Sequence, residues 1–213
     1  MSRVPLWPAS DVGVSAAARA LHLGGVVAFP TDTVFGLAAC ADLPAAIRRI
    51  SELKGRSPRQ PLILMAAGLG ELEPYCELVE GARELAGRFW PGPLTLILPA
   101  LPPGLALGGD GTVGVRIPRH QLALELLAAT GPLATTSANR HQRPPVADAA
   151  AAISEIPGLA GALSAPAGVA PGSEPSSILD LTREAPALLR RGRLGPQELA
   201  LPGLEDLSGA RRD

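Results

Sequence analysis

Residues 24–37 read GGVVAFPTDTVFGL. The glycine pair ends VSAAARALH (14–22), a run of helix-forming composition, and the apolar run VVAFP (26–30) has the length and branching of a buried strand. A helix feeding a buried strand is the repeating unit of an α/β sheet. The strand then stops in Thr31, Asp32 and Thr33. Such residues serve equally as turn and cap groups for free backbone N–H donors or as ligand contacts, and the stretch alone leaves both readings open.

The same alternation continues on the C-terminal side. Leu43, Ile47, Ile50 and Leu53 recur at helical spacing, with Pro44 suited to a first turn and Gly55 to a cap, so the spacing predicts a helix ending at Lys54. PLILMA (61–66), PLTLILPA (93–100) and TVGVRIP (112–118) read as strands, and 102–111 as a Pro- and Gly-rich loop. Helices are predicted over 78–90 and 119–129. PLATTSAN (132–139) begins as a strand and ends polar; a helix near 146–154 and strands at 176–182 and 186–190 follow. The expected fold is a single α/β domain over residues 1–213, with its core at about 15–192: a twisted, mixed β-sheet flanked by helices, with a concave ligand cleft.

Composition weighs against several function classes. Among 213 residues, 46% are hydrophobic, 18% charged and 3% aromatic, with a formal net charge of −1. A dedicated nucleic-acid binder would carry a basic footprint and stacking surface, and both are missing. The apolar runs are broken by Pro and Gly before they reach bilayer length, so no membrane partner and a cytoplasmic location are expected. Cys40 and Cys76 lack zinc or redox spacing and are expected as buried free thiols; His22, His120 and His141 lie far apart, so no protein-held metal is expected. No GxGxxG or Walker-type phosphate loop occurs. The 19 basic residues comprise 18 arginines and one lysine, Lys54. A site that keeps lysine in an arginine background points to a need for a compact ammonium rather than a planar fork.

Three constellations can carry chemistry. KGR (54–56) is either an ordinary helix C-terminus or a turn that aims two unlike cations at one anion. TTSAN (135–139) is either a turn or a set of hydroxyl and amide groups facing a crevice at the sheet edge. Arg116, following Val-Gly-Val, needs an anionic partner if buried, which a substrate or a structural carboxylate can supply.

In their order and intervals, GGVVAFPTDTVFGL, KGR with QPLIL, FWPGPLTLIL, GTVGVRIP, TTSAN, PSSILD and LLRRG resemble the YrdC-like family of threonylcarbamoyl-AMP synthases over about residues 15–192. The resemblance implies an enzyme joining L-threonine, bicarbonate and ATP into threonylcarbamoyl-adenylate with release of pyrophosphate. It implies Mg²⁺ carried by ATP, and a downstream tRNA threonylcarbamoyl-transferase complex for N6-threonylcarbamoyladenosine at position 37, with tRNA contact weak or indirect. Threonine contacts fall on Thr31, Arg116, Thr135 and Ser176, and ATP contacts on Lys54, Arg56, Gln60, Thr112, Ser137, Asn139 and Arg190, with Lys54 and Arg56 catalytic.

The chemistry agrees with that cation set. A threonine carbamate must attack the α-phosphate of ATP, so two anions meet, and Lys54, Arg56 and Arg190 would offset their repulsion. Charged hydrogen bonds of this kind are worth about 1.5–3 kcal/mol each. The sequence departs from the family form in Asp32, Phe35 and Ala38, where Glu, Tyr and Gly are usual. It departs again in SANRHQRPP, where Pro145 replaces a frequent Ser, and in SAPAGVAPG (164–172). The chain stops soon after LLRRGRLGP, which implies the short, single-domain form. The rival readings are an RNA-binding or ribosome-assembly module and a carbamoyl-AMP-forming enzyme.

Overall fold

The computed structural model describes residues 4–105, 107–140, 143–166 and 174–209. Most of SAPAGVAPG, and His141, lie outside the described residues.

The chain opens with β1 (Leu6–Trp7) and α1 (Asp11–His22), then β2 (Val27–Phe29), β3 (Gly36–Cys40), α2 (Pro44–Lys54) and β4 (Ile63–Met65). There follow α3 (Ala82–Phe89), β5 (Leu94–Pro99), α4 (Pro102–Leu105), β6 (Thr112–Arg116), α5 (Gln121–Thr130) and β7 (Leu133–Ser137). α6 (Ala149–Glu155), β8 (Gly161–Leu163), β9 (Ser177–Asp180), β10 (Ala187–Arg190), α7 (Pro196–Leu199) and β11 (Glu205–Asp206) complete it. Among the described residues the eleven strands form one sheet in the order β1-β8-β2-β3-β7-β4-β6-β5-β9-β10-β11. Pairing is mixed: β4 and β6, and β5 and β9, run parallel, whereas β3 and β7, β4 and β7, and β5 and β6 run antiparallel. The α/β class and the mixed sheet expected from sequence are what the structure has.

Element boundaries shift where local chemistry dictates. α1 starts three residues early, because extended Ser10 already accepts a hydrogen bond from the Val14 N–H at 2.9 Å. α3 starts at Ala82 rather than at 78, because Gly81 sits at φ 80, which no helix interior holds. α2 ends at Lys54 as expected, with Gly55 left-handed at φ 63. A short helix, α4, occupies part of the expected 102–111 loop. The strand β3, GLAAC, was not expected. Gly and Ala have low strand preference, and this segment becomes a strand because both of its edges pair, with β2 and with β7.

The two-residue period of the central strands sorts side chains onto two faces. Leu64, Val113, Val115, Leu96, Leu98 and Ala134 enter the larger core, packed with Ile47 and Ile50 of α2, Leu85 of α3 and Ala152 of α6. The opposite face is covered over only part of its width. There Val14, Ala17 and Leu21 of α1 and Leu122, Leu126 and Leu127 of α5 pack on Val27, Phe29, Ala38, Cys40 and Leu133. Met65 at the end of β4 joins that cluster; over the rest of β4, and over β6, β5 and β9, the same face is open. Cys40 and Cys76 are buried free thiols, and burial pushes both up to about 11, so neither is a ready nucleophile.

Adjacent residues of β4 therefore test the face assignment. Leu64→Ala removes a fully buried side chain from the main core and should cost about 2–5 kcal/mol in urea unfolding. Ile63→Ala, whose side chain faces the open surface, should cost clearly less. Equal costs, or the reverse order, would overturn the division of faces.

Candidate active site

The open half of that face is the floor of a cleft of about 470 Å³, within the range of small-molecule sites. Register explains its lining. Thr135, Ile63, Gly114 and Ile97 lie side by side across four strands, through the pairs Ile63↔Thr135, Ile63↔Gly114 and Ile97↔Gly114. Met65 stands beside Arg116, and Thr95 beside Ile178. Every second residue of β6, Thr112, Gly114 and Arg116, reaches the cleft. The crevice expected at a sheet edge is instead a trough on the sheet face, with Thr135 in its middle.

Nine of the eleven residues named from sequence line this cleft: Thr31, Arg56, Thr112, Arg116, Thr135, Ser137, Asn139, Ser176 and Arg190. Gln60 and Lys54 do not. The Gln60 N–H closes a turn onto the Ser57 carbonyl at 3.1 Å, between Arg56 and Pro61, which both line the cleft.

Lys54 is 5% exposed, and its ammonium donates to the Ser137 carbonyl at 2.5 Å, the Asn139 carbonyl at 2.6 Å and Asn139 Oδ1 at 3.2 Å. All three N–H donors thus go to the protein. The lysine is special for the reason its rarity suggested, since three converging oxygens need a compact ammonium, but its partners are carbonyls of the TTSAN segment rather than an anionic ligand. Helix α2 ends at Lys54, and its side chain runs from that end to the end of β7.

Arg56 has the opposite situation. Its Nη1 donates to Thr136 Oγ1 at a long 3.4 Å, while Nε and Nη2 are buried without a partner among the described residues. Burial lowers its pKa from the ordinary value, yet a guanidinium keeps its proton in proteins. A half-buried cation that lines a cleft with two of its nitrogens unmatched suits an anionic ligand.

Arg116 is 2% exposed and has a structural carboxylate already. Its Nη2 donates to Asp32 Oδ1 at 2.6 Å, Nη1 to Thr33 Oγ1 at 3.0 Å and Nε to the Gly92 carbonyl at 3.0 Å. Of the two partners open from sequence, the structural one is present, and one N–H on each terminal nitrogen remains beyond these contacts. Asp32 and Thr33 thereby gain a structural role. Asp32 Oδ2 is buried without a partner.

The hydroxyls are polarised by their neighbours. Thr31 donates to the Val34 carbonyl at 2.6 Å, Thr135 to the Ile63 carbonyl at 2.8 Å, and Ser137 to Asn139 Oδ1 at 2.5 Å. With their hydrogens so committed, Thr135 and Ser137 can only accept from a ligand, whereas Thr31 Oγ1 already accepts from the Thr33 N–H at 3.2 Å and lies 3.2 Å from Thr33 Oγ1. Ser176 shares a 2.8 Å hydrogen bond with Thr95 and accepts from Arg190 Nη2 at 3.1 Å.

Sequence reading missed Thr95, Thr136, Gly114 and Arg143 in this lining. Counting by twos along β5 and β6 would have found Thr95 and Gly114. No pattern marks Arg143, in an irregular loop.

Burial first, and then the nearby Arg56 charge, lower the Lys54 pKa from 10.5 to about 8. The folded value lies below the unfolded one, so the unfolded chain binds more protons between those limits and stability rises with pH there. Relative to Lys54→Met, the protein should gain stability between pH 8 and 10, at up to about 1.4 kcal/mol per pH unit in denaturant titrations. A flat difference would mean that the ammonium is not desolvated.

Comparison with known proteins gives this geometry a context. The Sua5/YciO/YrdC family model, described as telomere recombination, matches residues 19–192. Threonylcarbamoyl-AMP synthase of Pyrococcus abyssi is 41% identical over 187 residues, covering 86% of this chain and 55% of that protein. The Bacillus subtilis enzyme of the same name is 39% identical over 197 residues, covering 89% and 56%. The chain thus spans little more than half the length of these relatives. A Mycobacterium tuberculosis relative is 36% identical over 191 residues, with 88% of each chain covered. Pyrococcus abyssi Sua5 in complex with L-threonine superposes with a TM-score of 0.87 at 34% identity, over 95% of this chain and 62% of that one. Escherichia coli YciO shares the fold, with a TM-score of 0.81 at 24% identity, over 93% and 100%. By the extent of the family match and these identities, the chain belongs to the Sua5/YciO/YrdC family.

Proposed function

We propose that this chain forms threonylcarbamoyl-adenylate from L-threonine, bicarbonate and ATP, the activity for which its Pyrococcus and Bacillus relatives are named. The observation that carries the reading is Arg56, with two buried unpartnered nitrogens in a cleft whose described lining holds four arginines and no carboxylate. Such a lining suits a polyphosphate.

The donor and acceptor pattern sorts the two substrates. An amino acid presents a carboxylate, which needs donors, and an ammonium, which needs acceptors. Arg116 offers the free hydrogens of its terminal nitrogens, while Thr135 offers an oxygen whose own hydrogen is tied to a carbonyl and Thr31 lines the wall beside it. Threonine therefore binds at Arg116, Thr31, Thr135 and Ser176, and the nucleotide at Arg56, Thr112, Ser137, Asn139 and Arg190. Lys54 acts from behind by fixing Ser137 and Asn139, and Gln60 lies outside the contacts.

The threonine nitrogen joins carbon dioxide derived from bicarbonate, and a carbamate oxygen then displaces pyrophosphate from the α-phosphorus. The fixed cations hold two anions at bonding distance and stabilise the charge that moves onto the leaving group. No protein nucleophile is needed. Mg²⁺ enters with the nucleotide. Among the described residues no group of three or more His, Cys, Asp or Glu is placed to hold a metal; in this reading the ion would arrive with the nucleotide and offset part of its charge. The product passes to the transferase complex that modifies adenosine 37 of tRNA, with tRNA itself touching this chain weakly or indirectly. A cytoplasmic location fits that role; among the described residues no helix is long and apolar enough to cross a membrane.

Pyrophosphate release should require threonine, bicarbonate and ATP together, and Arg56→Ala should lower the rate about 10²–10³-fold. Release that persists without threonine would overturn the reading. Gly114 offers a second test. A Cβ there meets nothing closer than 3.5 Å, at Thr95 Cγ2, so Gly114→Val should fold normally and place its branches in the cleft. Its melting temperature should stay within a few degrees of the parent while pyrophosphate release collapses; full activity would move the chemistry elsewhere.

A further inference from the structure

We propose that Arg143 binds the β- and γ-phosphates of the nucleotide at the mouth of the cleft, and that Lys54 holds it there through Asn139. This rests on the nucleotide reading above and adds a residue and a role to it.

Arg143 belongs to two spaces. With Pro145 it lines the main cleft, and the same two residues line an adjoining groove of about 500 Å³ that also includes Arg140, Ser154 and Glu155. The boundary between reaction cleft and outer groove therefore carries a guanidinium. Its backbone is pinned on two sides. The Arg143 N–H donates to the Arg140 carbonyl at 3.0 Å, and Asn139 Nδ2 donates to the carbonyls of Arg140 at 2.9 Å and Arg143 at 2.5 Å. Asn139 is in turn gripped through its carbonyl and Oδ1 by Lys54. Arg140 is occupied with Glu155, to which its N–H and Nε donate at 3.1 Å each. The Arg143 side chain, by contrast, has no hydrogen bond or ion pair among the described residues.

A cation with a fixed backbone and an uncommitted head, standing where the cleft opens, suits the part of the ligand that leaves. When a carbamate oxygen bonds to the α-phosphorus, the bond from that phosphorus to the bridging oxygen breaks. Its electron pair goes to pyrophosphate, which must depart through an opening. Arg56, deeper in the wall, meets phosphate near the reacting centre. Arg143, exposed beside the groove, meets the distal pair.

Calorimetric titration of ATP, AMP and inorganic tripolyphosphate into the full chain tests this. Arg143→Ala should weaken ATP and tripolyphosphate about tenfold or more, since a charged hydrogen bond is at stake. AMP and threonine should bind within twofold of the parent, and Arg143→Lys should recover part of the loss. Unchanged ATP and tripolyphosphate affinity, or equal loss of AMP and ATP, would overturn the proposal. If the parent protein binds no ATP, the proposed function itself fails, and that result is distinct from both. Lys54→Met should weaken ATP, and adding Arg143→Ala should weaken it less than it does alone. Full additivity would break the link from Lys54.

Discussion

The two-residue period of β4, β5, β6 and β7 is the constraint from which the molecule follows. Each strand must supply one apolar series to the core, because its other neighbours, α2, α3 and α6, cover that face across the central sheet. The alternate series is freed of that duty wherever no helix lies over it. α1 and α5 cover β2 and the stretches of β3 and β7 around Ala38, Cys40 and Leu133 on the second face, and the uncovered remainder accepts Thr, Ser, Gly and Arg at positions that would otherwise demand Leu or Val. The cleft is thus what a half-covered sheet leaves behind. Its position is set by where two helices stop.

Two buried cations show how such a site is held in shape. Burying a charge without a partner is costly, and both partners here are internal. Lys54 ties the end of α2 to the end of β7 through three oxygens, and so fixes the segment carrying Ser137 and Asn139. Arg116 ties β6 to the Thr31–Thr33 turn and to Gly92. Each cation anchors a loop that bears cleft residues. Arg56 alone of the three keeps buried nitrogens unmatched, so the site is rigid where it is supported and open where charge is wanted.

Much of this was legible in the sequence, for physical reasons that also mark the limit. α2 was readable to its last residue because apolar spacing, Pro44 and Gly55 agree. The strands around PLILMA, PLTLILPA and TVGVRIP were readable because continuous apolar runs of that length have few alternatives. β3 was not, since Gly-Leu-Ala-Ala-Cys has no local preference for extension and owes its form to partners far along the chain. Site residues on strands were found through the resemblance of ordered motifs, and Thr95 and Gly114 were lost because they lie on the same face without standing in a polar cluster. The direction in which Lys54 points depends on the three-dimensional meeting of 54 with 137 and 139, and spacing carries no information about it. The choice between ligand and carboxylate at Arg116 is likewise a question of whether Asp32 can reach it.

The charge balance along the cleft follows from those pairings and separates its two ends. At Arg116 the cation is matched by Asp32 at 2.6 Å, which offsets that guanidinium's own charge. At Arg56 and Arg143 no lining carboxylate offsets the charge. At an effective dielectric of 20, two unit charges 4 Å apart interact by about 4 kcal/mol, so the difference between the ends is large enough to sort ligands. A zwitterion gains nothing net from an uncompensated cationic wall, because its ammonium is repelled as its carboxylate is attracted, and it settles at the balanced end with separate donors and acceptors. A polyphosphate does the reverse. In the proposed reaction, carboxylation of the amine replaces a positive group with a negative one, so the intermediate no longer suits the balanced end at which its parent bound. In that reaction the same field draws it toward Arg56, the side on which we place the α-phosphate. In the proposed reaction, one buried aspartate thus helps to decide both where the amino acid waits and the direction in which its carbamate moves.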